Sequence, residues 1–276
     1  MVEHVDVETV LGRVHVAVAG EGPAVVMWPS LLMDHTLWDA QVAHLSNRFT
    51  TIAVDPPGHG RSQPLTRTFT FAECAQVVVD LLDHLGHERG HLLGNSWGGM
   101  IGGTFAALHP DRVGCSVLMN ATATAASRGQ RLEYGALLLA ARAMRGIRPP
   151  LTTAVLRAFL GPTSLAERPD VVEHVRRTTQ AVDVRSVSFA VRSVVPARQD
   201  QRAAFSQITT PVLVVGGSED ATFPPDDART MAAAIPDSEL VVLARAAHLA
   251  ALEVPDVVNR LVDDLLDRRG GAPNHL

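Results

Sequence analysis

The sequence predicts an α/β fold built on a mostly parallel sheet. Short continuous apolar runs bounded by Gly, Pro, Asp or Asn recur along the chain, which is how strands buried on both faces read. Helical patterns lie between them, and that alternation implies right-handed crossovers and a doubly wound sheet. One block, from about Thr124 to Val195, carries helical patterns and no strand.

In chain order, Val5 to Val10 and Arg13 to Val18 alternate apolar and polar residues around Leu11-Gly12. That pattern predicts a half-exposed hairpin at a sheet edge. The buried-strand runs are Ala24 to Trp28, Thr51 to Val54, His91 to Leu93, Val113 to Met119, Pro211 to Val215 and Leu240 to Leu243. The clearest helix covers Thr70 to Leu85. Thr70 and Glu73 make a capping box, Phe71, Ala75, Val78, Val79, Leu82 and Leu85 share a face, and Gly86 ends it. Trp97 to Leu108 and Asp256 to Leu266, the latter after Pro255, read as two more helices. In the strandless block, Arg131 to Met144, Thr152 to Leu160, Asp170 to Ala181 and Val184 to Val195 read as helices separated by Pro149-Pro150, Gly161-Pro162 and Pro169. The organisation expected is a core of residues 1-123 and 196-268, a helical insertion of residues 124-195, and a disordered tail of residues 269-276.

Composition narrows the class. With 276 residues, 46% hydrophobic and 19% charged, the chain suits one α/β domain with a large core and argues against disorder. Lys+Arg 24 against Asp+Glu 29 gives −5, which provides no basic surface for a nucleic acid. Cys74 and Cys115 form no CxxC and sit in apolar stretches, so buried free thiols and a reducing compartment are expected. The acidic, alternating start MVEHVDVETV does not read as a signal peptide. No apolar run approaches the roughly 18 residues of a membrane span. The expectation is a soluble cytoplasmic protein with no membrane partner.

The chemistry concentrates in Gly94-Asn95-Ser96-Trp97-Gly98-Gly99, which follows one predicted strand and opens a helix. A serine on such a sharp turn is held in a strained conformation with its hydroxyl exposed at the sheet edge. Glycines two residues to either side are needed where chain passes too close for a Cβ. The free N–H groups of the following helix point at developing negative charge. Serine needs a base, and His248 fits: it lies in a loop of small residues after the last predicted strand, at the same sheet edge. His4, His15, His44, His84, His87, His109, His174 and His275 fall on predicted surfaces, helix ends or tails, and His59, in Asp55-Pro56-Pro57-Gly58-His59-Gly60-Arg61-Ser62, reads as structural. The acid that orients the imidazole is expected at Asp220, after the strand Pro211 to Val215. Glu219 would point elsewhere from the same turn. The other available strand end reads Met119-Asn120-Ala121 and holds no carboxylate. An oxyanion hole needs two backbone N–H groups. These are assigned to Trp97 and to Leu31, in the loop after Ala24 to Trp28.

With GNSWGG, DPPGHGRS, GGSED and AAHLAALEVP in that order, the chain resembles the α/β-hydrolase superfamily over nearly its whole length. The resemblance implies a mostly parallel sheet of about eight strands with a helical cap, residues 124-195, over the site. Many members carry His-Gly-x-x in the oxyanion loop where this chain has Pro29-Ser30-Leu31-Leu32. The Ser30-Leu31 pair is similar to that of 3-oxoadipate enol-lactonase-like hydrolases. The GNS-x-GG elbow is shared with hydrolases of meta-cleavage products. A serine nucleophile sets the chain apart from the dehalogenases and epoxide hydrolases of the superfamily, which the resemblance expects to use aspartate.

The expected activity is cleavage of a carboxylic ester or lactone through an acyl-enzyme, with no metal and no organic cofactor. The partner is a small, apolar substrate. Ser30, Met33 and His35 are candidate substrate contacts. Arg142, Arg145, Arg148 and Arg157 read as a solvated helix face, with a substrate-carboxylate site as the rarer alternative. Rival readings are a carbon–carbon bond hydrolase, which would favour a vinylogous diketone, and a cofactor-free perhydrolase, which would need peroxide and a short carboxylic acid. A ligand-sensing relative would bind tightly and turn over slowly.

Overall fold

The computed structural model describes residues 1–270. Eight strands form one sheet: β1 (Val2–Thr9), β2 (Gly12–Ala19), β3 (Ala24–Trp28), β4 (Thr50–Val54), β5 (Gly90–Asn95), β6 (Val113–Met119), β7 (Val212–Gly217) and β8 (Ser238–Leu243). Their order is β1-β2-β4-β3-β5-β6-β7-β8. β1 and β2 pair antiparallel, β2 pairs antiparallel with β4, and every later pairing is parallel. β3, β4 and β5 are buried at every residue, as the continuous apolar runs require. The edge hairpin turns one residue earlier than its pattern suggests: Thr9 pairs with Gly12, so Val10 and Leu11 form the tip.

The helices are α1 (Asp39–Leu45), α2 (Phe71–His84), α3 (Trp97–Leu108), α4 (Arg128–Ala143), α5 (Leu151–Phe159), α6 (Pro162–Glu167), α7 (Pro169–Ala181), α8 (Val184–Val194), α9 (Arg202–Phe205), α10 (Pro225–Ala234), α11 (Ala250–Glu253) and α12 (Pro255–Leu265). α2 has its capping box: the Thr70 hydroxyl accepts from the Glu73 N–H, and Glu73 returns a bond to the Thr70 N–H. Such a cap contributes about 1 kcal/mol. α3 buries residues on every side, because it lies between the sheet and α2.

α4 to α8 all lie between β6 and β7. α6 is an addition to the expected helices: Pro162 opens a helical turn, since proline's fixed φ suits that position. α1 and α10 also lack a sequence signal, because each buries only two residues, Gln41 and Leu45 in one and Ala228 and Met231 in the other. His15 corrects its surface assignment. It is 2% exposed and is bonded to Asp6 and His4, because its face of β2 is covered by the β1 side chains and the loop carrying His35. Of the expected disordered tail, 269 and 270 continue a helical turn from Leu266, and 271–276, with His275, lie outside the described residues. Cys74 and Cys115 are free and buried, and burial pushes the Cys115 thiol up to about 12.

Candidate active site

The turn between β5 and α3 is as tight as the glycine spacing implies. Ser96 sits at φ 56, ψ −110, a region costing a non-glycine residue on the order of 1–3 kcal/mol. A Cβ on Gly94 would lie 2.1 Å from the Gly98 carbonyl oxygen, and one on Gly98 would lie 1.8 Å from the Trp28 carbonyl oxygen. Neither position can carry a side chain. The Ser96 N–H donates to the Met119 carbonyl (2.7 Å), which extends the β5–β6 ladder to the serine itself.

Ser96 Oγ lies 2.8 Å from His248 Nε2, and His248 Nδ1 lies 2.9 Å from Asp220 Oδ2. All three residues are buried. The structure therefore brings together the three residues singled out from the sequence. Asp220 is held from three further directions. Its Oδ1 accepts from the Thr222 and Phe223 N–H groups at 2.9 Å each, and its Oδ2 accepts from Asn120 Nδ2 at 3.2 Å. A carboxylate that accepts this many bonds keeps one orientation, with Oδ2 shared between Asn120 and the imidazole. The His248 ring packs near those of Phe159 and Phe223, with centroids 5.4 and 5.5 Å away.

Asn95, Asn120 and Glu253 received no role from the sequence. Asn95 Nδ2 donates to Ser30 Oγ (2.9 Å) and to the His248 carbonyl (2.8 Å). Asn120, at φ 50, donates to the Ala247 carbonyl (2.7 Å) as well as to Asp220. Asparagine tolerates this left-handed backbone better than most residues. Glu253 Oε1 accepts from the N–H groups of Ala247 and Leu249, 3.0 Å each, and so clamps the chain on both sides of His248. A glutamate five residues after the histidine, in an otherwise apolar stretch, is the one available signal. Glu219 turns away from His248, as expected, and binds Thr163 Oγ1 (2.6 Å) at the start of α6.

The loop after β3 forms a turn closed by Met33 N–H to the Ser30 carbonyl (3.2 Å), with Leu32 at φ 65. Positive φ at the third residue is the mark of a type II turn. Leu31 and Leu32 line a cavity of about 210 Å³ together with Ser96 and His248. Trp97 opens α3, so its N–H has no acceptor in its own helix. Its indole is wholly buried, stacked on Phe69 and edge-on to Trp28. The substrate contacts expected at Ser30, Met33 and His35 are not on this cavity. Ser30 is turned toward Asn95, Met33 is packed under the turn, and Asp55 Oδ1 accepts from both the N–H and Nδ1 of His35 (2.8 and 2.7 Å). The pair is strong enough to raise the His35 pKa although burial acts to lower it.

Among the described residues one cluster has metal-ligand types in reach of each other, Asp34, His35 and Asp55. Its groups are spent on the bond just described and on the turn at Asp34, and the cluster lies off the cavity. His59 is buried, and desolvation lowers its pKa to about 4, in keeping with a structural role. Arg142, Arg145, Arg148 and Arg157 are all exposed.

Residues 23–255 match the family model described as alpha/beta hydrolase fold, and the chain belongs to that family. It is 27% identical to 3-oxoadipate enol-lactonase 2 of Acinetobacter baylyi over 246 residues, 89% of each chain. Among solved structures it is similar to the enol-lactonase from Burkholderia xenovorans, with TM-score 0.88 and 27% identity over 95% of this chain and 100% of that one. It is also similar to a thermophilic esterase from Thermogutta terrifontis, with TM-score 0.89 and 26% identity over 98% and 100% of the two chains. The family and these relatives support hydrolase activity on small molecules. Among the described residues no helix is long and apolar enough to cross a membrane.

Proposed function

We propose that the chain hydrolyses a carboxylic ester or lactone through a covalent acyl-serine. The observation that carries this reading is the unbroken path Ser96 Oγ, His248 Nε2, His248 Nδ1, Asp220 Oδ2, with contacts of 2.8 and 2.9 Å at the sheet edge. His248 Nε2 takes the Ser96 proton as Oγ bonds to the carbonyl carbon, and the carbonyl oxygen becomes the oxyanion. In this reading the N–H groups of Leu31 and Trp97 hold that oxygen; the Trp97 N–H opens α3 and has no acceptor within it. The tetrahedral species collapses, the alkoxide leaves, and His248 returns the proton to it. Water then attacks the acyl-enzyme with His248 again as base, and releases acid and free serine. Asp220 holds Nδ1 protonated, so that Nε2 faces the serine as acceptor.

In this reading the helical insertion of residues 124-195 is the cap. It supplies the aliphatic wall of the cavity, including Leu138, Val155, Val187 and Val191. That wall favours an apolar acyl or alcohol group and excludes water from the oxyanion. No step calls for a metal or an organic cofactor.

Intact-protein mass spectrometry after treatment with a fluorophosphonate tests the proposal. One adduct on the wild type and none on Ser96→Ala is the expected result. A folded wild type that takes no adduct, or a variant that takes the same one, overturns it.

A further inference from the structure

Three histidines meet on one face of the edge hairpin. His4 on β1 and His15 on β2 are diagonal neighbours, because His15 pairs with Asp6, two residues beyond His4. Residues two apart on a strand point to the same face, so the two rings share it. His4 Nδ1 lies 3.1 Å from His15 Nε2, and the rings stack with centroids 5.2 Å apart. His35, from the loop over this face, brings a third ring to 5.7 Å from His4 and 5.9 Å from His15.

Two of the three rings are backed by carboxylates. His15 Nδ1 donates to Asp6 Oδ1, and His35 Nδ1 donates to Asp55 Oδ1, 2.7 Å each. An ionised carboxylate only accepts, so the first bond fixes the His15 tautomer and leaves its Nε2 lone pair toward His4. A carboxylate behind an imidazole is the arrangement that orients metal-ligating histidines and raises their basicity. Desolvation, with the charges of Arg61, His15 and His35, lowers the His4 pKa, which favours its neutral, ligating form. Asp6 shares its other oxygen with Arg13 (2.8 Å), and Asp55 Oδ2 accepts from the Arg61 N–H (2.8 Å). The face therefore carries carboxylates set against the charges of Arg13 and Arg61.

We propose that His4 Nδ1 and His15 Nε2 bind a divalent transition-metal ion such as Zn²⁺, with water completing its coordination. Two nitrogens bound to one ion at about 2.0–2.1 Å stand about 2.9–3.4 Å apart, from a square to a tetrahedral angle. This pair stands at 3.1 Å. His4 is exposed and His15 buried, so the ion enters as the His4 ring turns aside. The His4 Nδ1 proton passes to water and its outer Nε2 takes one up, so Nδ1 gains a lone pair with no net proton released. His35 is outside ligand reach of the pair, and its bond to Asp55 keeps that carboxylate beside the site. Imidazole ligands select Zn²⁺, Cu²⁺ or Ni²⁺ over Mg²⁺ and Ca²⁺. The site lies off the cavity of Ser96 and does not depend on the role of that serine.

Isothermal calorimetry of ZnCl₂ into the untagged full chain tests the site, with His4→Gln and Asp6→Asn beside the wild type. The chain has 12 histidines, so the readout is the tightest site. The wild type is expected to hold one Zn²⁺ there, which excess MgCl₂ does not displace. His4→Gln, on an exposed side chain and with unchanged circular dichroism, should lose that site. Asp6→Asn should weaken it by about 10- to 100-fold, the cost of removing a carboxylate behind a ligating imidazole. A wild type that binds no Zn²⁺, or a His4→Gln variant that binds it as tightly, overturns the site. An Asp6→Asn variant of unchanged affinity overturns His15 as the second ligand.

Discussion

The loops beneath the cavity and the helices above it are constrained in different ways. Below, Ser96, His248 and Asp220 are fixed by hydrogen bonds whose other ends are Asn95, Asn120, Glu253 and the backbone of Thr222 and Phe223. Above, α4, α5 and α8 meet the cavity mostly through leucine, valine and alanine. A hydrogen bond demands one partner at one angle, whereas an aliphatic contact accepts many side chains of similar volume. In the proposed function the lower layer therefore fixes the chemistry, and the upper layer can change its side chains with little loss of stability.

Substitutions can test that contrast. The largest effect is expected below. Ser96→Ala should lower kcat on any ester substrate by about 10⁴-fold or more, measured with enzyme of unchanged circular dichroism. A variant that keeps most of its turnover would remove the contrast altogether. Glu253→Ala leaves the buried Ala247 and Leu249 N–H groups unpaired and should cost about 2–4 kcal/mol of stability, read as a fall in Tm, with kcat reduced as His248 loosens. An unchanged Tm would show that the clamp is dispensable.

A third prediction concerns acid. His91 is buried in β5, and desolvation lowers its pKa from 6.5 to about 4. Below pH 6.5 the unfolded chain takes up a proton that the native chain refuses. The native state's advantage is therefore whole above pH 6.5 and is lost as pH falls toward 4. Between pH 7 and 5 this histidine should account for about 2 kcal/mol of lost stability. Urea melts of His91→Gln at both values should show the loss reduced by that amount, and an equal loss would contradict it. The smallest effect belongs above, on the outer face: Leu139 is 71% exposed on α4, and Leu139→Gln should change stability by less than about 0.5 kcal/mol.

What the sequence made legible follows the same division. β3, β6 and α3 lie at the bounds their apolar runs and the serine turn imply. The convergence of Ser96, His248 and Asp220 was readable because each sits just beyond a strand, where the chain order alone brings them to one edge. The lining of the cavity was not. Ser30, Met33 and His35 are close to Leu31 in sequence, but the turn at Leu32 and the bond from His35 to Asp55 carry them off the cavity. The burial of Arg198 had no signal either. The residue lies in the polar stretch before α9, and only the packing of Thr124, Gln130 and Val194 around it turns it inward.

Asn95 has a consequence of another kind. One amide nitrogen holds Ser30, beside the Leu31 N–H, and also the carbonyl of His248. The proposed oxyanion donor and the proposed base are thus referred to a common point one residue from Ser96. A displacement of the β5 terminus carries both with it, so errors in their positions are correlated, and the distance between them is preserved when the sheet flexes.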